Sequence, residues 1–312
     1  MQYADFLGFP FPQHELITKQ GKLEVASDIL LDVCHTTSVP PYVKEMTDIV
    51  REHDWFVQQL GKQNNPTRTA FFFGLQHPPS NASVSDMLLL KGLGIRFMTL
   101  AYEGVNQYGG GFATPDEPLS ERGKELIRSM AKTRFVLDLS HAGHRTAREA
   151  IRVIKEESLA ARVVATHTAC FDLYDHSRCL PDDVLTSIAD IGGLIGLVTI
   201  TWMLDGEDDS IQPFLRHLDH LVDLVGETNV CLGTDGVYHH LDPEEARERF
   251  RVMKEKIDPR GVFHARHPEQ AAELNCPNRL AVIEGHLRTL GWSEDRIENI
   301  MGRNLTRFLS DF

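Results

Sequence analysis

The sequence predicts an α/β chain closed into a (β/α)8 TIM barrel, with extra helices at its C-terminal end. Three observations carry this. Short apolar runs, rich in β-branched and aromatic residues, recur along the chain as buried parallel strands do. Segments with apolar residues at helical spacing separate most of them, and strands that alternate with helices pair in parallel. Three of the runs end on a polar side chain: Phe135–Ser140 on His141, Arg162–His167 on His167, and Asn229–Asp235 on Asp235. A barrel of this type assembles its site from side chains at strand C-termini.

The elements follow in order. Gln2–Phe9 alternates up to Pro10 and is expected as strand one. Residues 11–26 form a loop or short hairpin. Asp28–Thr37 is strand two, closed by Pro40 and Pro41. Val43–Leu60 has helical spacing, and Thr69–Leu75 is strand three. Ser83–Leu93 is a helix, with Ser83 or Ser85 as its cap. Ile95–Ala101 is strand four. Tyr102–Pro118, rich in Gly, Asn and Tyr, is a long loop of functional or mobile type. Ser120 caps a helix over Glu121–Lys132. Strand five is Phe135–Ser140, followed by a helix over Arg145–Glu156. Strand six is Arg162–His167. A second long loop, His167–Pro181, leads to a helix over Pro181–Ile191. Gly193–Thr201 is strand seven. Ile211–Val225 is an amphipathic helix with Phe214, Leu218, Leu221 and Val225 on one face. Asn229–Asp235 is strand eight, and Asp242–Phe312 is a charged, mostly helical tail with a loop near residues 257–266. No repeat or linker divides the chain, so residues 1–312 are expected to form a single domain.

The 312 residues are 42% hydrophobic and 25% charged, as in an ordinary soluble chain that fits one such barrel. A formal net charge of −13 excludes the basic footprint that nucleic acid requires. The five cysteines include no CxxC pair, and their odd number argues for a reducing, cytoplasmic compartment. The N-terminus lacks the basic region and apolar core of a signal peptide. No apolar stretch reaches the ~18 residues that a membrane span requires. A homodimer is the default assembly.

Converging strand ends would present Leu7 or Phe9, Cys34 or His35, Gln76, Tyr102, His141, His167, Thr201 or Trp202, and Asp235. His141, His167 and Asp235 together suit zinc, which acidifies a bound water and polarises a carbonyl. Alternatively Asp235 is a general base that takes the water's proton and delivers it to a leaving amine. Arg178, in the loop after strand six, is placed to clamp a substrate carboxylate, or else forms a surface salt bridge. His239 and His240 offer a further ligand or a substrate contact, or are exposed loop residues. Cys34 and His35 are adjacent on a strand and point to opposite faces, which disfavours a nucleophilic pair. Gly109–Gly111 precedes no strong helix start and is expected to be a flexible loop and not a phosphate cradle.

The segments FFFGLQH, GLGIRFMTLAY, LSERGKELIRSMAKTRFVLDLSHAG, VVATHTACFDLYDHSRCLPDDVL, VCLGTDG and GRNLTRFL, in that order over roughly residues 70–312, resemble the membrane (renal) dipeptidase family of metallopeptidases, family M19. The resemblance implies a metal-dependent-hydrolase-like (β/α)8 barrel that hydrolyses dipeptides at a two-zinc centre. It places His141 and His167 at the two histidine ligands of one zinc. Arg178 then stands at the arginine that holds the substrate carboxylate, and Asp235 at the catalytic aspartate. The departures are as informative. The family's strand-one His-x-Asp, ligands of the other zinc, falls on Leu7 and Phe9. Its bridging glutamate falls on Gln76, and its substrate-contacting histidine after strand four on Tyr102. Uncharged groups thus replace the first-metal ligands, and a two-zinc centre is not expected.

The expected function is a dipeptidase-like hydrolase of a small amide or dipeptide-like substrate, with one bound zinc at most. His141 and His167 hold the metal and Asp235 is the general acid and base. Arg178, Tyr102, Gln76 and His240 contact substrate. The alternatives are a metal-free lyase or isomerase that uses the same residues for proton transfer, and a non-catalytic small-molecule binder.

Overall fold

The computed structural model describes residues 3–9, 35–39, 44–61, 71–80, 82–238, 240–256 and 258–310. Its centre is a seven-stranded parallel sheet in chain order: β2 (His35–Val39), β3 (Phe71–Leu75), β4 (Ile95–Thr99), β5 (Val136–Asp138), β6 (Arg162–Thr168), β7 (Leu194–Leu197) and β8 (Val230–Leu232). The first segment closes the curl. The Phe6 N–H donates to Leu232 O at 2.8 Å, and β1 (Gly8–Phe9) pairs in parallel with β9 (Gly236–Val237). On its other side β1 lies beside β2. The result is a (β/α)8 barrel.

Helices fill the crossovers for local reasons. Ser83 and Asp86 form a capping box at the start of Val84–Gly92. The Ser120 hydroxyl accepts the Gly123 N–H at the start of Glu121–Thr133, which stops at Arg134 in a left-handed conformation (φ 55°). His144–Glu156 buries Ala147, Ala150, Ile151 and Ile154, a one-sided stripe of helical period. Among the described residues, no helix is long and apolar enough to cross a membrane.

One side chain from each of six strand segments, Phe6, Phe97, Val136, Val164, Leu194 and Cys231, packs inside the ring. Leu305, Phe308 and Leu309 of the helix Asn304–Leu309 join this cluster and plug that end. Each fully buried apolar side chain contributes about 1.5–3 kcal/mol. Further along the strands, a Cβ on Gly196 or Gly233 would stand 2.1 or 1.9 Å from Thr166 O. Only glycine lets the backbones approach that closely.

Two carboxylates lie inside the ring, and the strand pattern passes over both. Asp138 accepts the Ser140 and Thr166 N–H groups, each at 3.0 Å, and the Thr166 hydroxyl at 2.6 Å. Asp5 accepts the N–H groups of Leu7 (3.3 Å) and Thr234 (2.8 Å), and the hydroxyls of Thr234 (2.6 Å) and Tyr238 (2.5 Å). A buried carboxylate is tolerated only when satisfied in this way.

Strand boundaries differ from expectation, most clearly in three places. β1 covers only Gly8–Phe9 of the expected Gln2–Phe9. β2 runs on to Val39, past the expected Thr37, and residues 28–34 of that expectation lie outside the described residues. Strand seven stops at Leu197, and Thr201–Leu204 is one turn of helix that buries Trp202. The segment 268–270 causes this. Glu269 O accepts the Thr201 N–H, Pro268 O accepts its hydroxyl, and Gln270 bridges Ile200.

Asp5→Ala is expected to cost at least about 3 kcal/mol in denaturant unfolding, because it strands several buried donors. Asp5→Asn is expected to cost far less, because both hydroxyls rotate to accept from the new NH2. Equal losses in the two variants would contradict the hydrogen-bond account.

Candidate active site

His167, near the end of β6, is fully buried. Its orientation follows from Asp138. The Thr166 hydroxyl donates to Asp138, so its oxygen accepts from His167 Nδ1–H at 2.8 Å. That tautomer leaves a lone pair on Nε2. His167 Nε2 lies 3.0 Å from His141 Nε2 and 3.4 Å from Gln76 Nε2, the buried amide at the tip of β3. His141 sits three residues past β5 with φ 68°. Such a conformation is uncommon outside glycine and concentrates at functional sites. The Tyr102 ring stacks on His141, with centroids 4.0 Å apart and planes 23° apart. His141 Nδ1 is buried without a partner. Burial, and then the Arg178 charge, hold both imidazoles well below the usual histidine range. They are therefore neutral at pH 7.

Arg178 is buried as well, which excludes a surface salt bridge. The loop after β6 folds back on itself through bonds from Phe171 N–H to Leu180 O and from Leu180 N–H to Ala169 O. The Arg178 N–H donates to His176 Nδ1 at 3.2 Å, and its Nη2 donates to His167 O at 3.4 Å. Nη1 is buried with no partner. A guanidinium with one unspent edge is ready for an oxyanion.

Asp235, the residue before β9, also has a positive φ, 53°. Its N–H donates to Leu7 O at 2.8 Å. Burial pushes its carboxyl up to about 7, although the Arg178 guanidinium pulls it down. The Tyr102 hydroxyl is raised by burial and by the Asp235 charge, and lowered by Arg178. Asp235, Arg178 and Tyr102 thus form one electrostatic group beside the imidazole pair.

The donor set bears on a metal. Leu7 packs in an apolar cluster with Val237 and Leu241, so strand one brings no ligand there. Among the described residues, no three His, Cys, Asp or Glu side chains converge as a metal group. A two-metal centre does not fit. Two Nε2 atoms 3.0 Å apart do match one ion at about 2.0–2.1 Å from each. Gln76, with its amide turned, adds a neutral oxygen. The donor set fits one ion at most.

The remaining expectations scatter. His240 is exposed, its Nδ1 2.8 Å from Asn275 O, and it lines a cavity shared with Asp235. Cys34 and His239 lie outside the described residues, and of His35 only the backbone is described. Gly109–Gly111 is packed and not a flexible loop: the Gly110 N–H donates to Thr146 Oγ1 at 2.9 Å, and the Gly111 N–H to Gly104 O. Sequence reasoning missed the second rank of residues, Asp138, Thr166, Asp5 and Thr234. A signal was present, since Thr166-His167 and Thr234-Asp235 are both a threonine followed by a site residue. It also missed a cavity of about 370 Å³ that opens beside Asp235, with Glu269 and Arg249 in its wall.

Residues 57–262 match the model of the membrane dipeptidase family, peptidase family M19. The dipeptidase tcpJ of Claviceps purpurea is 27% identical over 243 residues, which cover 75% of this chain and 48% of that protein. The dipeptidase verJ of Clonostachys rogersoniana is 27% identical over 62% of this chain and 50% of its own. The chain thus spans about half the length of these relatives. An amidohydrolase from Pseudomonas aeruginosa has the same fold, with a TM-score of 0.78 at 20% identity over 99% of this chain and 96% of that one. A metallopeptidase from Rhodobacter sphaeroides, solved with a phosphinate mimic of the dipeptide L-Ala-D-Ala, gives 0.74 at 16% identity over 99% of each chain. With two thirds of its length matched to the family model and this barrel beneath it, the chain belongs to the membrane dipeptidase family of metallopeptidases.

Proposed function

We propose that the chain hydrolyses a small amide or dipeptide-like substrate with at most one bound metal ion. The observation that carries this reading is the meeting of a neutral imidazole pair, an unspent guanidinium edge and a carboxyl raised to about 7 at one end of the barrel. Arg178 Nη1 binds the substrate carboxylate and so orients the amide. Asp235, when ionised, takes a proton from the water that adds to the amide carbon. It then returns that proton to the amine nitrogen as the C–N bond breaks. A carboxyl near 7 serves both transfers at neutral pH. Tyr102 fixes the His141 ring by stacking and presents its hydroxyl near Asp235. His141 and His167, with the turned Gln76 amide, hold the ion; when bound there, it supplies Lewis acidity to the carbonyl. His240, at the cavity rim, contacts the substrate's outer part. The same reading takes residues 1–312 as one domain, forming a cytoplasmic homodimer.

Gln76 and His141 also lie within hydrogen-bond distance of His167 Nε2 directly, although His141 Nδ1 stays without a partner. This favours, as a second reading, a metal-free lyase or isomerase in which the pair moves protons. Elemental analysis of untagged protein separates the two: zinc approaching one per chain supports the hydrolase, and none supports the second reading.

Three expectations follow from the first reading. His167→Ala should lose the bound zinc and the turnover together; normal zinc content and turnover would remove this residue from the site. Gln76→Glu should tighten zinc binding in a chelator competition, since it puts a carboxylate beside two imidazoles; unchanged affinity would mean that the side chain does not face the ion. Asp235→Asn should lower kcat by ~10²–10⁴-fold. The same variant carries a stability signature in metal-stripped protein. The Asp235 carboxyl stands at about 7 when folded against 3.8 in a model peptide. The folded chain therefore keeps a proton that the unfolded chain releases between these values. That stability is full below 3.8 and lost as pH rises through 7. Asp235→Asn should therefore melt above wild type at pH 8 and alongside it near pH 4. A lower melting temperature at pH 8 would contradict the burial of this charge.

A further inference from the structure

The cavity beside Asp235 extends away from the imidazole pair, between the end of β8 and the segment 267–275. Its volume, about 370 Å³, is within the range of small-molecule sites. Much of its wall is apolar, with Ile200, Val237, Leu241 and Ala246. Polar side chains interrupt that wall, among them Glu269, Gln270, Arg249 and His267. Glu269 is half-buried in the wall, and partial burial raises its carboxyl above the usual range. Arg249 and His267 exert a field on it. Yet among the described residues its carboxylate receives no hydrogen bond and forms no ion pair, since only its backbone oxygen is engaged, by Thr201. Gln270 Nε2 is buried with no partner, while its Oε1 accepts the Thr199 hydroxyl at 2.7 Å. A carboxylate in such a place lacks its complement. A primary ammonium supplies three donors and the opposite charge.

Asp235 belongs to the proposed catalytic machinery and also lines this cavity, with the substrate-contacting His240 at its rim. It senses the charges of both Arg178 and Glu269, of which Glu269 shares the cavity wall with it and Arg178 does not. A short substrate with its carboxylate on Arg178 and its amide at Asp235 therefore sends its other end toward Glu269. We propose that Glu269 is the specificity determinant of this site, the partner of a primary ammonium on the substrate's amino-terminal residue. The ammonium is either the α-amino group or a lysine-like side chain seated against the apolar wall. This rests on the hydrolase reading for the orientation of the substrate, and not for the existence of the ammonium subsite.

The test compares wild type with Glu269→Gln on three compounds: alanyl-alanine, N-acetyl-alanyl-alanine and N-acetyl-lysyl-alanine. In Glu269→Gln, kcat/KM is expected to fall about 10- to 100-fold, chiefly through KM, on the compound whose ammonium reaches the subsite. It should stay within about threefold on N-acetyl-alanyl-alanine. A loss confined to alanyl-alanine assigns the α-amino group, and one confined to N-acetyl-lysyl-alanine assigns the side chain. Glu269→Asp should recover part of the discrimination, and melting curves check that each variant folds. Equal losses on all three compounds, or no loss on any, would overturn the proposal. Should wild type turn over none of them, calorimetric binding of the same compounds decides. Weaker binding of ammonium-bearing compounds alone in Glu269→Gln sustains the subsite and sinks the hydrolase reading. Equal binding in both proteins, or no binding to wild type, sinks the subsite.

Discussion

The site depends on one repeated interaction, a buried aspartate that accepts both the N–H and the hydroxyl of a threonine on the neighbouring strand. Asp138 does this to Thr166, and Asp5 does it to Thr234. In each case the next residue carries the chemistry assigned here, His167 or Asp235. The geometry is economical. A strand end has no ladder partner for its last polar groups, and a carboxylate below it satisfies them. The threonine hydroxyl is then spent as a donor and can only accept. That single fact sets the His167 tautomer and turns its Nε2 toward His141.

Around this frame the backbone does unusual things at two places. His141 and Asp235 both have left-handed conformations that their side chains do not favour. Each lies just after a strand, where a turn re-aims the side chain across the mouth of the barrel. The cost is of the kind that surrounding structure must hold in place. Here the hydrogen bond from the Asp235 N–H to Leu7 O and the stacking of Tyr102 on His141 do so. Charge is handled with equal restraint. The imidazoles are neutral, Asp235 is held near the point of half-protonation, and Arg178 is the cation beside them. A neutral amide at Gln76 limits how much positive charge the site can hold beside that guanidinium.

The order of strands and helices, and the residues at which three strands end, are local properties, and the sequence displays them. His141, His167, Gln76, Tyr102, Arg178 and Asp235 were legible because each interrupts or follows an apolar run, or matches a family segment. His240 was legible only as a histidine near Asp235; its exposed position at the cavity rim was not. Strand seven was read too long because Val198, Thr199 and Ile200 stay β-branched after the ladder has ended. Only contacts with the segment 268–270 turn the chain into a helix there.

By itself, then, the sequence determined the alternation of elements and the polar residues at their ends, since hydrophobic periodicity acts between near neighbours. The tertiary structure alone decided how those ends are satisfied and what opens beside them. Asp5 meets Thr234 across 229 positions of chain, and Glu269 joins Asp235 at one cavity from another element. No local pattern encodes such meetings. They arise because closing a ring of strands forces buried polar groups to find partners wherever the chain has brought them.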